Sequence, residues 1–144
     1  VVNMLTVQAL ETGKIVAHCG AHGAKLMRPN VHIDDITDIY AWLLDHPARH
    51  CIYNAGFENL SVSEIAGTIA AVIPSAVEFT EVQDKRSYLV DSSRLTAAGF
   101  RNRFTVSDAI SGIVAAWKAG TLRREQRSVN LAWMRANGWI SDVR

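Results

Sequence analysis

The chain has 144 residues and a formal net charge of +1, and 49% of its residues are hydrophobic. This composition is typical of a globular protein with a buried core and excludes a disordered chain. The nearly balanced charge gives no indication that the chain binds nucleic acid or an anionic membrane. No apolar run has the length of a membrane span and no signal peptide precedes the first helix, so a cytoplasmic location is expected.

Hydrophobic periodicity predicts alternating helices and strands in the first third of the chain. The predicted elements are a helix over 2–10 stopped by Gly13, a strand over 14–18, a loop over 19–27, a helix over 34–45 and a short buried strand over 51–54. The helix over 34–45 has the most regular apolar spacing, and Pro47 ends it.

Residues 28–38 combine an arginine, a predicted short strand and an acidic helix start. Pro29 fixes its own φ and keeps Arg28 out of the helical region. The apolar alternation over 31–33 has the two-residue period of a strand. Helix capping and the helix dipole account for the aspartates that follow, which are Asp34 (the predicted N-cap), Asp35 and Asp38.

The rest of the chain continues the alternation of elements, which indicates an α/β or α+β fold. Ser61 and Glu64 form a capping box that opens a helix ending before Pro74. The further predicted elements are strands over 77–82 and 87–90, a helix over 92–98 stopped by Gly99, and a helix beginning at Thr105 or Ser107 and reaching Trp117. Residues 1–120 are expected to form the main unit, and 121–144 a helical tail.

The histidines and cysteines do not predict a metal centre. Cys19 and Cys51 are too far apart for a Cys-x-x-Cys motif, and they do not suggest a disulfide scaffold. The spacing of His18, His22 and His32 around Cys19 matches no structural zinc pattern. We therefore expect no bound metal and a reducing environment.

Two arginines are candidates for phosphate binding. Arg28 precedes the strand and acidic helix start, and Arg86 follows Lys85 directly before a predicted strand. A guanidinium group binds phosphate oxygens in a bidentate way, and two of them can hold a diphosphate. Solvated ion pairs with Asp34 or Asp84 explain the same residues, and this surface role is the commoner one for arginine.

Five segments in order resemble the C-terminal half of the extended short-chain dehydrogenase/reductases, in particular the NAD-dependent nucleotide-sugar epimerases and dehydratases. Each segment alone is a weak signal, whereas their order and spacing over about residues 1–118 are specific. The segments are RPNVHIDDITD (28–38), IYNAG (52–56), SVSEIA (61–66), DKRSYLVDSSRL (84–95) and the run to Phe100.

The resemblance implies a small mixed α/β lobe that binds a nucleoside diphosphate-sugar. It also implies that the strand–helix–strand over 31–54 completes the edge of a Rossmann sheet whose core is absent from this sequence. In this family Arg28 and Arg86 would face the diphosphate, and Asn3 would contact the nucleotide-sugar. His18 would lie along the base, at a position where many relatives have an aromatic residue.

The family's catalytic and cofactor motifs are absent from this sequence. Gly20 and Gly23 lack the third glycine of a dinucleotide fingerprint and the helix that should follow it. None of the three tyrosines is followed by lysine four residues later, so the acid/base pair Tyr-x-x-x-Lys is missing as well. The resemblance therefore implies that NAD(P) binds an N-terminal Rossmann portion, the expected partner of this chain, and that the chain alone binds no cofactor and is catalytically incomplete.

A different class of function remains open at this stage. The same lobe could serve as a non-catalytic regulatory or scaffold module that binds a nucleotide or another protein. The tail has a basic start (Arg123, Arg124) and apolar residues (Leu131, Trp139) that would suit a partner-binding helix. The helix over 34–45 would lack its partner sheet, so association with the N-terminal portion or with a second copy is expected.

Overall fold

The computed structural model describes residues 1–46, 52–83, 86–123, 125, 128 and 130–140. The helices are α1 (Val2–Thr12), α2 (Ile33–Asp45), α3 (Val62–Val72), α4 (Ser93–Ala97), α5 (Val106–Lys118) and α6 (Asn130–Ala136). The strands are β1 (Lys14–Cys19), β2 (Met27–Asn30), β3 (Glu58–Ser61) and β4 (Ala76–Glu81). The predicted mixed α/β class is confirmed. Within the described residues, every helix is too short or too polar to cross a membrane.

The four strands form two separate pairs. β1 lies parallel to β4, with Ile15 opposite Val77, and helix α3 belongs to the long connection that parallel strands require. β2 lies antiparallel to β3, with Arg28 opposite Leu60. The predicted strands over 14–18 and 77–82 are thereby confirmed, whereas β3 was not predicted.

The main hydrophobic core lies between α1, β1, α3 and α5. Its fully buried side chains include Ile15, Ile65, Ile69 and Ile110. Local signals place the helices around it: Gly13 ends α1 in the left-handed conformation, and Ser61 and Glu64 form the predicted capping box of α3. Burial of these apolar faces is the main source of stability for this part of the fold.

A second, smaller cluster lies under α2. Its buried residues are Ile39 of α2, Leu95 of α4 and Phe100, which follows α4. Trp42 packs edge-on against Phe100, with ring centroids 6.0 Å apart. This cluster joins α2 to the segment that leads into α5.

The start of α2 differs from the prediction. The strand lies at Met27–Asn30, and Ile33 is the first residue of the helix. The N-cap is His32 and not Asp34, because the His32 Nδ1 atom accepts the backbone N–H of Asp34 at 3.2 Å. Asp34 lies in the first helical turn, where its charge still suits the helix dipole.

Two further predicted strands are wrong. Residues 52–54 form no strand, Ile52 is 84% exposed, and Cys51 and Pro47 lie outside the described residues. The predicted strand–helix–strand therefore has its helix and a shifted first strand, but not the second strand. Residues 87–90 also form no strand, although their sequence alternates. A strand needs a neighbour for its backbone groups, and at Val90 the Asn59 side chain supplies the partners instead.

Candidate functional site

The structure brings Arg28 and Arg86 together. Arg28 lies on β2, and its guanidinium donates to the carbonyl oxygen of Met27 at 2.9 Å and to the carbonyl oxygen of Arg86. Arg28 is half-buried and Arg86 is exposed. The Arg28 guanidinium therefore contacts the backbone of Arg86, 58 positions away in sequence.

Side chains tie the segment that follows Arg86 to β2 and β3. The Ser87 hydroxyl accepts the backbone N–H of Met27 at 3.1 Å. The Asn59 side chain donates to the carbonyl oxygen of Val90 at 3.0 Å and accepts the N–H of Val90 at 2.9 Å. The segment that follows Arg86 is thus held by long-range side-chain hydrogen bonds, whereas Arg28 lies in the β2–β3 ladder.

A cavity of about 430 Å³ opens beside β2, within the range of about 300–1,000 Å³ typical of small-molecule sites. The starts of α1 and α5, the end of β2 and the start of β3 line it. Its polar lining residues include Asn3, Asn30, His32 and Glu58. The predicted site residue Asn3 therefore lies in the wall of a concave surface.

Arg28 lies on β2 directly before Pro29, which lines the cavity together with Asn3. Arg28 and Arg86 themselves are not among the residues that line it.

Two carboxylates fix the start of α5 at the opposite wall. The Glu58 carboxylate accepts the backbone N–H of Val106 at 2.5 Å. The hydroxyl and backbone N–H of Thr105 both donate to the Asp108 carboxylate and hold its pKa below the usual range, and the nearby His32 acts in the same direction. These contacts satisfy the first N–H groups of α5 and so position the cavity wall.

Asp35 has a role that the sequence did not indicate. It is fully buried, and its carboxylate accepts the backbone N–H of Arg103 at 2.8 Å and of Phe104 at 3.2 Å. The Arg103 guanidinium in turn binds the Asp38 carboxylate at 2.6 Å. Phe104 stacks on His32 with ring centroids 4.6 Å apart. Together these contacts join the start of α2 to the segment before α5.

The other predicted residue, His18, lies apart from the cavity lining. It is exposed on β1 and lies opposite Thr80 of β4. Within the described residues, no group of three or more His, Cys, Asp or Glu side chains is arranged to hold a metal ion. Cys19 is half-buried, and its thiol is free.

The described residues do not fit the diphosphate of NAD(P). Such a cofactor needs a glycine-rich turn that leads from a strand into the N-terminus of a helix. Gly20 and Gly23 border a short 3₁₀ turn, Ala21–Gly23, and the next element is strand β2. No reaction step through the cofactor can be assigned to these residues.

Comparison with known proteins gives the class of fold. No model of a protein family and no curated protein matches the chain. Several solved structures, in contrast, are similar to the chain. A dTDP-glucose 4,6-dehydratase from Bacillus anthracis in complex with NAD has a TM-score of 0.65 and 15% identity over 82% of this chain and 39% of its own. A UDP-glucose 4-epimerase from Thermus thermophilus in complex with NAD has a TM-score of 0.65 and 18% identity over 80% of this chain and 40% of its own.

A third similar structure is the GDP-mannoheptose C4 reductase from Campylobacter jejuni with NADP bound. Its TM-score is 0.59, with 18% identity over 78% of this chain and 36% of that protein. The chain thus spans about two fifths of the length of these structures. It has the fold of part of an NAD(P)-dependent nucleotide-sugar dehydratase, epimerase or reductase. The resemblance predicted from the sequence is confirmed at the level of the fold.

Proposed function

We propose that this chain is the nucleotide-sugar-binding portion of an NAD(P)-dependent nucleoside-diphosphate-sugar epimerase or dehydratase. The observation that carries the proposal is the hydrogen bond from the Arg28 guanidinium to the carbonyl of Arg86. It joins the two arginines that the sequence singles out for a diphosphate, at an edge next to a cavity of suitable size.

The chemistry of the ligand follows from the charges at this edge. A diphosphate carries two adjacent anionic groups, and each can accept paired N–H donors from a guanidinium. Asn3 would supply an amide to a hydroxyl or carbonyl group of the same ligand. In this proposal the chain binds and orients the nucleotide-sugar, and the hydride chemistry belongs to NAD(P) on an N-terminal Rossmann portion.

The test is isothermal calorimetry of the intact protein with UDP-glucose and dTDP-glucose. Arg86→Ala should weaken binding by about 1.5–3 kcal/mol, because a charge-assisted hydrogen bond of this kind contributes that much. Arg101→Ala is the control, since Arg101 is an exposed arginine like Arg86, but its guanidinium donates to the carbonyls of Thr96 and Phe100 and does not line the cavity. Unchanged affinity after Arg86→Ala would refute the proposal.

A partner-binding role of the tail is the second candidate. Leu131 and Trp139 are exposed, and Trp139 meets Trp133 edge-on at 4.7 Å. Aromatic residues are enriched in protein interfaces. The coding sequence upstream of Val1 discriminates between the two candidates. A Gly-x-x-Gly-x-x-Gly motif and a Tyr-x-x-x-Lys pair there would favour the enzyme.

A further inference from the structure

The segment from Arg86 to Ser92 follows β3 without forming a strand. Side chains hold it at several points along its length. The Asn54 side chain donates to the carbonyl oxygen of Asp91 at 3.3 Å, and the Ser92 hydroxyl accepts the N–H of Gly56 at 2.8 Å. The course of this segment therefore depends on hydrogen bonds with residues 54–59.

Asn59 makes the most complete of these contacts. Its carboxamide carries a donor and an acceptor in one plane, as a peptide group does. It uses both on Val90, at 3.0 Å and 2.9 Å, so one side chain replaces the pair of bonds that a neighbouring strand would exchange. Asn59 is half-buried on β3, where its own backbone pairs with β2 opposite Pro29.

A close approach at Gly56 restricts the same region. A side chain at Gly56 would place its Cβ only 3.1 Å from the Cβ atoms of Pro29 and Val90. Gly56 is buried, and Val90 packs against it. Val90 is thus held by the Asn59 carboxamide through its backbone and by close packing against Gly56 through its side chain. Both contacts lie four residues along the chain from Arg86.

We propose that Asn59 is a positioning residue for Arg86. By pairing with both backbone groups of Val90 it fixes the segment 86–92 against β3, and with the Arg28 contact at the other end it sets where the Arg86 guanidinium lies. This inference rests on the proposed function, because Asn59 would affect diphosphate binding through Arg86. Asn59 itself would not touch the ligand.

The first test measures the segment itself, by hydrogen exchange of the intact protein. Asn59→Ala should speed exchange of the Val90 amide about 10-fold, because it removes the acceptor of that N–H. Ile69→Val is the control, since it weakens the distant main core without touching residues 86–92. Unchanged exchange at Val90 in Asn59→Ala would overturn the proposal.

The second test is a double-mutant cycle with UDP as the probe. Asn59→Ala should weaken UDP binding about 10-fold in the parent protein and by less than about 2-fold in the Arg86→Ala background, because its effect passes through Arg86. A general loss of stability would instead give additive effects, and additivity would overturn the positioning role. Ile69→Val should leave UDP affinity unchanged.

The two tests separate this inference from the proposal on which it rests. If Arg86→Ala alone leaves UDP binding unchanged, the proposed function fails, and the role of Asn59 in diphosphate binding fails with it. Faster exchange at Val90 in Asn59→Ala would then still identify Asn59 as the residue that holds the segment. If Arg86→Ala weakens binding and Asn59→Ala does not, the proposed function stands and the positioning role is refuted.

Discussion

The two hydrophobic clusters of this chain differ in what covers them. The main core has elements on every side: α1, β1, α3 and α5 all bury apolar faces in it. The cluster around Leu95 is covered by α2, and the same helix also carries large apolar side chains that are exposed. Tyr40 is 70% exposed and Leu44 is 85% exposed. Four elements bury apolar faces in the main core, whereas α2 both covers a cluster and exposes apolar side chains, as a helix between two layers does.

This difference agrees with the length of the chain relative to similar structures. The chain spans about two fifths of the solved enzymes, and α2 exposes large apolar side chains. We propose that the N-terminal Rossmann portion packs on this face. The comparison of the two clusters can be tested by substitutions that should act differently in each.

The largest effect is expected from truncation of the main core. Ile65 and Leu95 are both fully buried, one in each cluster. Ile65→Ala should lower the free energy of unfolding by about 2–5 kcal/mol, and the loss should appear in every element. Leu95→Ala should fall at the low end of that range, because the cluster is open on one side and can adjust. Urea denaturation gives the size of the loss, and hydrogen exchange gives its location. Equal and global losses would contradict the distinction.

A smaller effect is expected from the contact that joins the two clusters. The buried carboxylate of Asp35 on α2 accepts the N–H groups of Arg103 and Phe104, just before α5. Asp35→Asn presents an amide N–H to one of these donors and should cost about 1–3 kcal/mol, the penalty of an unpaired buried group. Asp34→Asn, on the exposed side of the same turn, should cost much less. If the two variants lose equal stability in urea, Asp35 does not join the clusters.

Local sequence signals predicted the parts of the fold that depend on neighbouring residues. Ser61 and Glu64 are three residues apart, so their capping box could be found by spacing alone, and Gly13 as a helix stop is equally local. β3 was missed because three of its four residues, Glu58–Ser61, are polar. Two of these side chains, Glu58 and Asn59, bind partners far away in sequence, at Val106 and Val90.

The opposite error occurred at 87–90 and 52–54, where an apolar pattern suggested strands. A pattern gives the preference of a segment but not its neighbour, and a strand exists only where a neighbour completes its hydrogen bonds. The same limit applies to the site. A resemblance of ordered motifs selects Arg28 and Arg86, and their role as diphosphate ligands stays a prediction. The contacts of Asn59 and Asp35 could not be predicted, since they span 31 and 68 positions.

The smallest change in stability, with a distinct change in association, is expected at the exposed face of α2. Leu44→Gln should alter the free energy of unfolding by no more than about 0.5 kcal/mol, because Leu44 is largely exposed. It should nevertheless reduce self-association and the binding of a dye specific for apolar surface, because it removes the most exposed apolar side chain of α2.

Phe79→Gln is the control for this prediction. Phe79 is also exposed, but it lies on β4, which pairs with β1 and not with α2. Sedimentation velocity and dye fluorescence measure both properties. A parent chain that is strictly monomeric and binds no dye would show that α2 needs no partner layer, and the contrast between the clusters would then be one of size alone.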